Sequence, residues 1–247
     1  LKYMGSKSRI AKYIVPIIQK YIDENNIDTY YEPFVGGANI IDKIQCKNKI
    51  GNDKNKYLIA LLKHVQDNKP LYDSVTKELY DKARIAFNSG NTSNFEDWQI
   101  GNIGFIASYN GRWFDGGYAK PGYEKTKRGE RYRDYYQEAK ANLLAQAPNL
   151  QKIVFTAYDY KRIVPANCLI YCDPPYANTK QYANATTFDY DDFWDTMRTW
   201  SRTNIVLISE QYAPDDFKCI WEQEVSRSIK AADKSKSVEK LFIQNRE

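Results

Sequence analysis

The sequence has one histidine, His64, and four cysteines, Cys46, Cys168, Cys172 and Cys219, in 247 residues. No two cysteines form a C-x-x-C pair, so neither a zinc site nor a disulfide framework is expected, and no metal is assigned. Long apolar runs are missing too. No stretch approaches the ~20 residues that cross a bilayer, and no signal peptide is recognisable. The expectation is a chain that does not span a membrane, in a reducing, cytoplasmic setting.

Tyrosine is abundant: 21 Tyr stand beside 10 Phe and 5 Trp. Rings with a polar tip suit half-wet surfaces, including those on which bases stack, although a Tyr-rich core and surface would look the same in composition. Lys and Arg number 36 against 31 Asp and Glu, a net +5 that is compatible with a polyanionic partner without requiring one. The local distribution says more. Between Tyr118 and Arg133, Lys120, Lys125, Lys127, Arg128, Arg131 and Arg133 stand against only Glu124 and Glu130. A chain of this length buries one substantial core and carries a small second lobe.

Ile10, Tyr13, Ile14, Ile17, Ile18 and Tyr21 have the spacing of one helix face, with Pro16 as a kink or starting point. Thr29 to Glu32 reads as a strand, Phe34-Val35-Gly36-Gly37 as a loop, and Asn39 to Ile44 as a helix. Lys49 to Asn52 reads as a second strand closed by Asp53, and Lys56 to Val65 as another helix. This strand–loop–helix–strand unit opens a doubly wound α/β sheet. The sheet resumes at Lys152–Thr156, Cys168–Cys172 and Asn204–Ser209, with a helix from Asp191 to Trp200. Cys168 and Cys172 act there as small hydrophobes in a buried strand. Residues 67–148 break the rhythm and read as an inserted, mainly helical recognition lobe between two halves of one catalytic domain, 1–66 and 149–247. Asn110-Gly111 and Asp115-Gly116 give that lobe β-hairpin chemistry. Trp98, Trp113 and Trp200 read as packing residues, and His64 as an ordinary helix residue.

Asp173-Pro174-Pro175-Tyr176 follows a buried strand at the carboxyl end, where open α/β sheets bind ligands. Two prolines fix the backbone and expose carbonyls, since neither has an N–H. An acidic acceptor, a fixed carbonyl and an aromatic ring suit a planar amine: two acceptors for its two N–H bonds and a ring to stack on its base. The lone pair of adenine's amine is delocalised into the ring, so acceptors at Asp173 and the Pro174 carbonyl favour a tetrahedral, nucleophilic nitrogen. A base must leave the helix stack to reach such a pocket. Asp and Pro also make plain turns, so the motif alone leaves that reading open. The Gly36-Gly37 loop and Asp53, taken singly, also fit a tight turn and a surface acid.

Taken in order, these segments resemble the Dam-type adenine-N6 DNA methyltransferases. Lys2-Tyr3-Met4-Gly5-Ser6-Lys7 is similar to that family's K-W-x-G-x-K loop, and Tyr31 to Gly37 contains its E-P-F-x-G-G motif. Asn52-Asp53-Lys54-Asn55 resembles its N-D-x-N, Ala157 to Tyr160 its D-F or D-Y segment, and Asp173 to Tyr176 its catalytic D-P-P-Y. Phe188 to Phe193 resembles the segment after it. The resemblance implies a Rossmann-like sheet and S-adenosylmethionine as cofactor. It places Tyr3, Met4, Gly5 and Lys7 at the cofactor site. Glu32 and Pro33 join them there, with Phe34 and Gly36 at the methionine portion, Asp53 at the ribose, Asp159 near the adenine, and Asp173 adjoining. It further implies a double-stranded DNA partner, contacted by Asn110, Arg112, Lys120, Lys125, Lys127 and Arg128. Tyr3 and Met4 replace the family's commoner Trp and Ala. Ser108 to Gly122 departs from its hairpin pattern, which leaves the DNA target sequence open. Rival readings are a catalytically silent DNA-binding module and a methyltransferase for cytosine N4, RNA adenine or a glutamine amide.

Overall fold

The computed structural model describes residues 1, 3, 5–126, 129–175, 188–226 and 236–245. Its centre is a seven-stranded sheet of order β5-β2-β1-β6-β7-β9-β8. The strands are β1 (Thr29–Glu32), β2 (Asn48–Asn52), β5 (Ile153–Thr156), β6 (Leu169–Cys172), β7 (Ile205–Glu210), β8 (Phe217–Ser226) and β9 (Lys236–Gln244). The first five are parallel, while β9 runs antiparallel between β7 and β8. From β1 the chain winds outward through β2 to β5, then crosses to β6 and β7. The switch of direction lies between β1 and β6, where such sheets open a ligand crevice at their carboxyl ends.

The short apolar strands follow from burial on both faces. Successive side chains point to opposite faces, so Leu169 and Tyr171 enter one core while Ile170 and Cys172 enter the other. The first core also takes Ile14 and Ile18 of α1 (Ala11–Glu24) and Leu58, Leu61 and Leu62 of α2 (Lys56–Gln66). The second is closed by Phe193, Trp194 and Met197 of α6 (Tyr190–Ser201). Helix α1 runs through Pro16 from a start at Ala11. Residues 39–44 form only a 3-10 turn, Ile41–Lys43, rather than the expected helix. The short segment before β2 cannot offset the cost of helix nucleation.

The segment 67–148 contains α3 (Lys77–Asn88), α4 (Asp97–Gly101) with a π-helical turn at Asn102–Ile106, and most of α5 (Tyr135–Leu150). Its Tyr80, Ile103, Phe105 and Leu143 share the first core with α1 and α2. At Gly101 a Cβ would lie 2.2 Å from the Tyr57 carbonyl oxygen, so glycine lets α4 lie directly on α2. The hairpin is displaced from where the turn dipeptides put it. Asn110-Gly111 and Asp115-Gly116 lie in 3-10 turns, Tyr109–Gly111 and Trp113–Gly116, closed by a bridge between Ser108 and Tyr118. Burial of Trp113 and Phe114 curls this stretch inward. The antiparallel pair is β3 (Gly122–Thr126) with β4 (Gly129–Arg133), inside the basic cluster.

Candidate active site

Every parallel strand ends on the same edge of the sheet, and each carries a polar residue there. Glu32 closes β1, Asn52 and Asp53 close β2, Asp173 follows β6 and Glu210 closes β7. Asp159 lies three residues beyond β5.

After β1, the Val35 N–H donates to the Asn52 carbonyl at 2.7 Å, and the Gly36 N–H donates to Asp53 Oδ2 at 3.2 Å. Gly36 has φ +47°, and a Cβ there would meet the Tyr3 ring at 3.2 Å. Asn39 Nδ2 donates to the Leu1 carbonyl at 3.0 Å and to Ser6 Oγ at 2.9 Å, which ties the N-terminal segment over this turn. Thus Tyr3, Gly36 and Asp53 are brought together from three stretches of chain. Met4 lies outside the described residues. Gly5, at φ +81°, has open space where a Cβ would stand.

Asn52 joins three loops. Its Nδ2 donates to the Pro33 and Tyr158 carbonyls, at 3.1 and 3.0 Å, and its Oδ1 accepts from Thr156 Oγ1 and the Tyr158 N–H, at 2.8 and 3.0 Å. The first Asn of N-D-x-N was visible in the sequence, but this stitching was not. The second, Asn55, caps α2 by accepting from Tyr57 and Leu58 N–H. Asp53 Oδ1 accepts from the Asn55 N–H at 2.9 Å. Burial pushes the Asp53 carboxyl up to about 6, against the pull of the two backbone N–H groups. Burial also acts upward on Asp159, yet the Lys161 N–H and the Lys54 ammonium, 3.2 Å away, hold it below the usual range. Glu32 is buried and accepts from the Tyr30 hydroxyl at 2.6 Å; burial holds its carboxyl well above the usual range.

Phe34 packs against Tyr160, Phe188 and Phe193, with ring centroids 5.0, 6.0 and 6.0 Å away. The post-β1 turn, the post-β5 turn and α6 therefore share one aromatic wall. Beyond β6, Asp173 Oδ1 pairs with Lys7 Nζ at 2.8 Å, and Glu239 of β9 approaches the same ammonium at 3.7 Å. Lys7 thus lies at Asp173, on the β6 side of the crevice. Burial raises the Asp173 carboxyl, Lys7 pulls it back by charge and hydrogen bond, and Glu239 adds a further upward push. Pro174 is buried, and the Pro175 carbonyl accepts from the Tyr190 hydroxyl at 2.6 Å. Tyr176 lies outside the described residues. Glu210 is buried; one oxygen accepts from the Gln211 N–H at 2.7 Å and the other has no partner among the described residues.

Asn110, Arg112, Lys120 and Lys125 are exposed on the lobe, Asn110 at φ 55°, while Lys127 and Arg128 lie outside the described residues. Trp113 and Trp200 are buried, and Trp98 stacks on His64 at 3.8 Å. No described helix is long and apolar enough to cross a membrane.

A doubly wound sheet with acidic residues at its switch-point edge and an Asp-Pro-Pro turn after β6 defines a Rossmann-like methyltransferase. Residues 3–199 match the model of the D12 class N6 adenine-specific DNA methyltransferases, and the chain belongs to that family. It is 26% identical over 225 residues to the type II methyltransferase M.MjaIII of Methanocaldococcus jannaschii, a match covering 78% of this chain and 74% of that one. It is 24% identical over 225 residues to the modification methylase StsI of Streptococcus sanguinis, covering 83% of this chain but 31% of StsI. The chain spans about a third of the length of that second relative. Its activity is methylation of adenine N6 in DNA, which sets aside the silent module and the other planar amines.

Proposed function

We propose that the methyl donor is S-adenosylmethionine and that Asp173, Pro174, Pro175 and Tyr176 form the acceptor site for an adenine turned out of duplex DNA. The observation that carries this reading is the Asp173 carboxylate beyond β6, held through Oδ1 by Lys7 at 2.8 Å.

The residues across the crevice fit such a donor. The Asp53 carboxylate keeps lone pairs beyond its two backbone bonds for ribose hydroxyls. A Cβ at Gly36 would crowd the Tyr3 ring, so the glycine turn holds the backbone close on that side. Tyr3, Met4, Gly5, Pro33, Phe34 and Glu32 would frame the methionine end and Asp159 the adenine neighbourhood. When bound, S-adenosylmethionine supplies an electrophilic methyl group on a sulfonium. Asp173 and the Pro174 carbonyl take the two N–H bonds of adenine and draw its lone pair out of the ring; Tyr176 stacks on the base. Transfer of that methyl group would break its bond to sulfur, the electron pair returning to sulfur as a neutral thioether, while one amine proton would leave toward Asp173, the adjacent base.

In this reading 1–66 and 149–247 form the catalytic domain and 67–148 the recognition lobe, acting on double-stranded DNA in the cytoplasm. Lys120, Lys125, Lys127 and Arg128 neutralise phosphates, and Asn110 and Arg112 approach base edges. The test uses cofactor with a labelled methyl group, offered duplex DNA, RNA and protein separately. Label recovered as N6-methyldeoxyadenosine is expected from wild type and absent with Asp173→Ala. Full transfer by Asp173→Ala would remove Asp173 from the chemistry.

A further inference from the structure

Lys7, Asp173 and Glu239 come from three distant parts of the chain and meet with 10%, 20% and 16% of their side chains exposed. Lys7 opens the 3-10 turn Lys7–Arg9, whose cap Ser6 is tied to Asn39. Asp173 is set by the end of β6. Glu239 reaches the same place because β9 is antiparallel: its early residues lie at the edge where the parallel strands finish, with Lys240 opposite Glu210 of β7. An ammonium in such a poorly hydrated setting is weakly screened, so how it is divided between two carboxylates matters.

We propose that Glu239 is a positioning residue of the methyl-transfer site, sharing the Lys7 ammonium with Asp173 so that Asp173 stays a strong acceptor for the adenine amine. This rests on the reading of Asp173 as the amine acceptor. An ammonium given wholly to Asp173 would lower its basicity and weaken its hydrogen bonds to the amine. Glu239 draws part of that charge away and adds like-charge repulsion of its own. Among the described residues, the other titratable groups facing Asp173 are Glu210 of β7, Glu32 of β1, and Tyr171 and Cys172 of β6. Burial favours the neutral form of each of these four, whereas Glu239, 3.7 Å from the Lys7 ammonium, is placed to balance it among the described residues.

The test is a carboxyl-carbon NMR titration of the cofactor-free protein labelled at aspartate, with the Asp173 resonance assigned by its loss in Asp173→Asn. In Glu239→Gln the Asp173 midpoint should fall by about 0.5–1 pH unit, and the acid limb of the methyl-transfer rate should move down with it. Glu239→Asp, which withdraws the carboxylate from Lys7, should shift the midpoint in the same direction by less, and serves if the neutral variant does not fold. A midpoint that stays or rises in a folded variant overturns the proposal. So does an equal fall in Glu222→Gln, whose carboxylate pairs with Lys240 at 3.7 Å on the outer hairpin. Methyl transfer by Asp173→Asn would bring down the reading of Asp173 and this inference together. An inactive Asp173→Asn with an unmoved midpoint in Glu239→Gln brings down the role of Glu239 alone.

Discussion

The hydroxyl of Tyr190, the first residue of α6, donates to the carbonyl of Pro175 at 2.6 Å. The ring of Tyr190 packs edge-on against Phe188 at 5.0 Å, and Phe188 in turn meets Phe34. The backbone of the Asp-Pro-Pro turn is therefore fixed from two sides: by its own proline rings and by a phenol anchored in the wall that also carries the post-β1 loop.

Removing that hydroxyl should loosen the turn without disturbing the core, because the bond lies near the surface. Tyr190→Phe is expected to lower kcat by about 3–10-fold, the worth of one hydrogen bond. KM for DNA should stay within about twofold. Steady-state kinetics on duplex substrate check this, and an unchanged kcat would detach Tyr190 from the turn's geometry.

Asp53 binds the Gly36 N–H on one oxygen and the Asn55 N–H on the other, and burial raises its carboxyl to about 6. Above that value it is ionised and, in the proposed role, would offer charged acceptors to ribose hydroxyls; below it one acceptor is lost. Calorimetric affinity for S-adenosylmethionine should fall as pH drops through that value, and Asp53→Asn should bind roughly 10–100-fold more weakly at neutral pH. An affinity that is flat across the acid range in wild type would contradict this.

Glu210 is pushed up to about 7, first by burial and then by the nearby Asp173 charge, against the Gln211 N–H. Its folded value lies above the unfolded one, so its stabilising contribution is full below the unfolded value and is lost as pH rises through about 7. Glu210→Gln escapes that loss. Denaturant unfolding at about pH 8.5 should find the variant more stable than wild type by on the order of 1–3 kcal/mol, with the difference closing toward about pH 4.5. A variant that is less stable at the alkaline end would show that this carboxylate is satisfied in its ionised form.

The hairpin β3–β4 carries Lys125 exposed beside Tyr123 and Tyr132, whose rings pair at 5.3 Å. Replacing Lys125, Lys127 and Arg128 by alanine should flatten the log–log salt dependence of DNA binding by about 0.9 for each phosphate left without its cation. Cofactor affinity should not change. Binding isotherms at several salt concentrations measure the slope, and an unaltered slope would assign these charges to a solvated face.

The sequence by itself determined where along the chain the parallel strands of the crevice lie and which residues stand at their carboxyl ends. Strands buried on both faces must be short, continuous apolar runs, and the loops after them need Gly, Pro or Asp for close turns. Cys168 to Cys172 followed by Asp173, and Tyr31 to Gly37, are local signals of that kind. Turn dipeptides were less reliable: Asn110-Gly111 does turn, but the burial of Trp113 and Phe114 curls the flanks, so the paired strands form a few residues later. Only the tertiary structure decided that Lys7 reaches Asp173, that Asn52 joins three loops, that Tyr190 holds Pro175, and that Glu239 stands at the site at all. The antiparallel return of β9 and its register against β7 put Glu239 there. Such pairings join residues far apart in the chain, and no local pattern of side chains encodes which partner a strand will find.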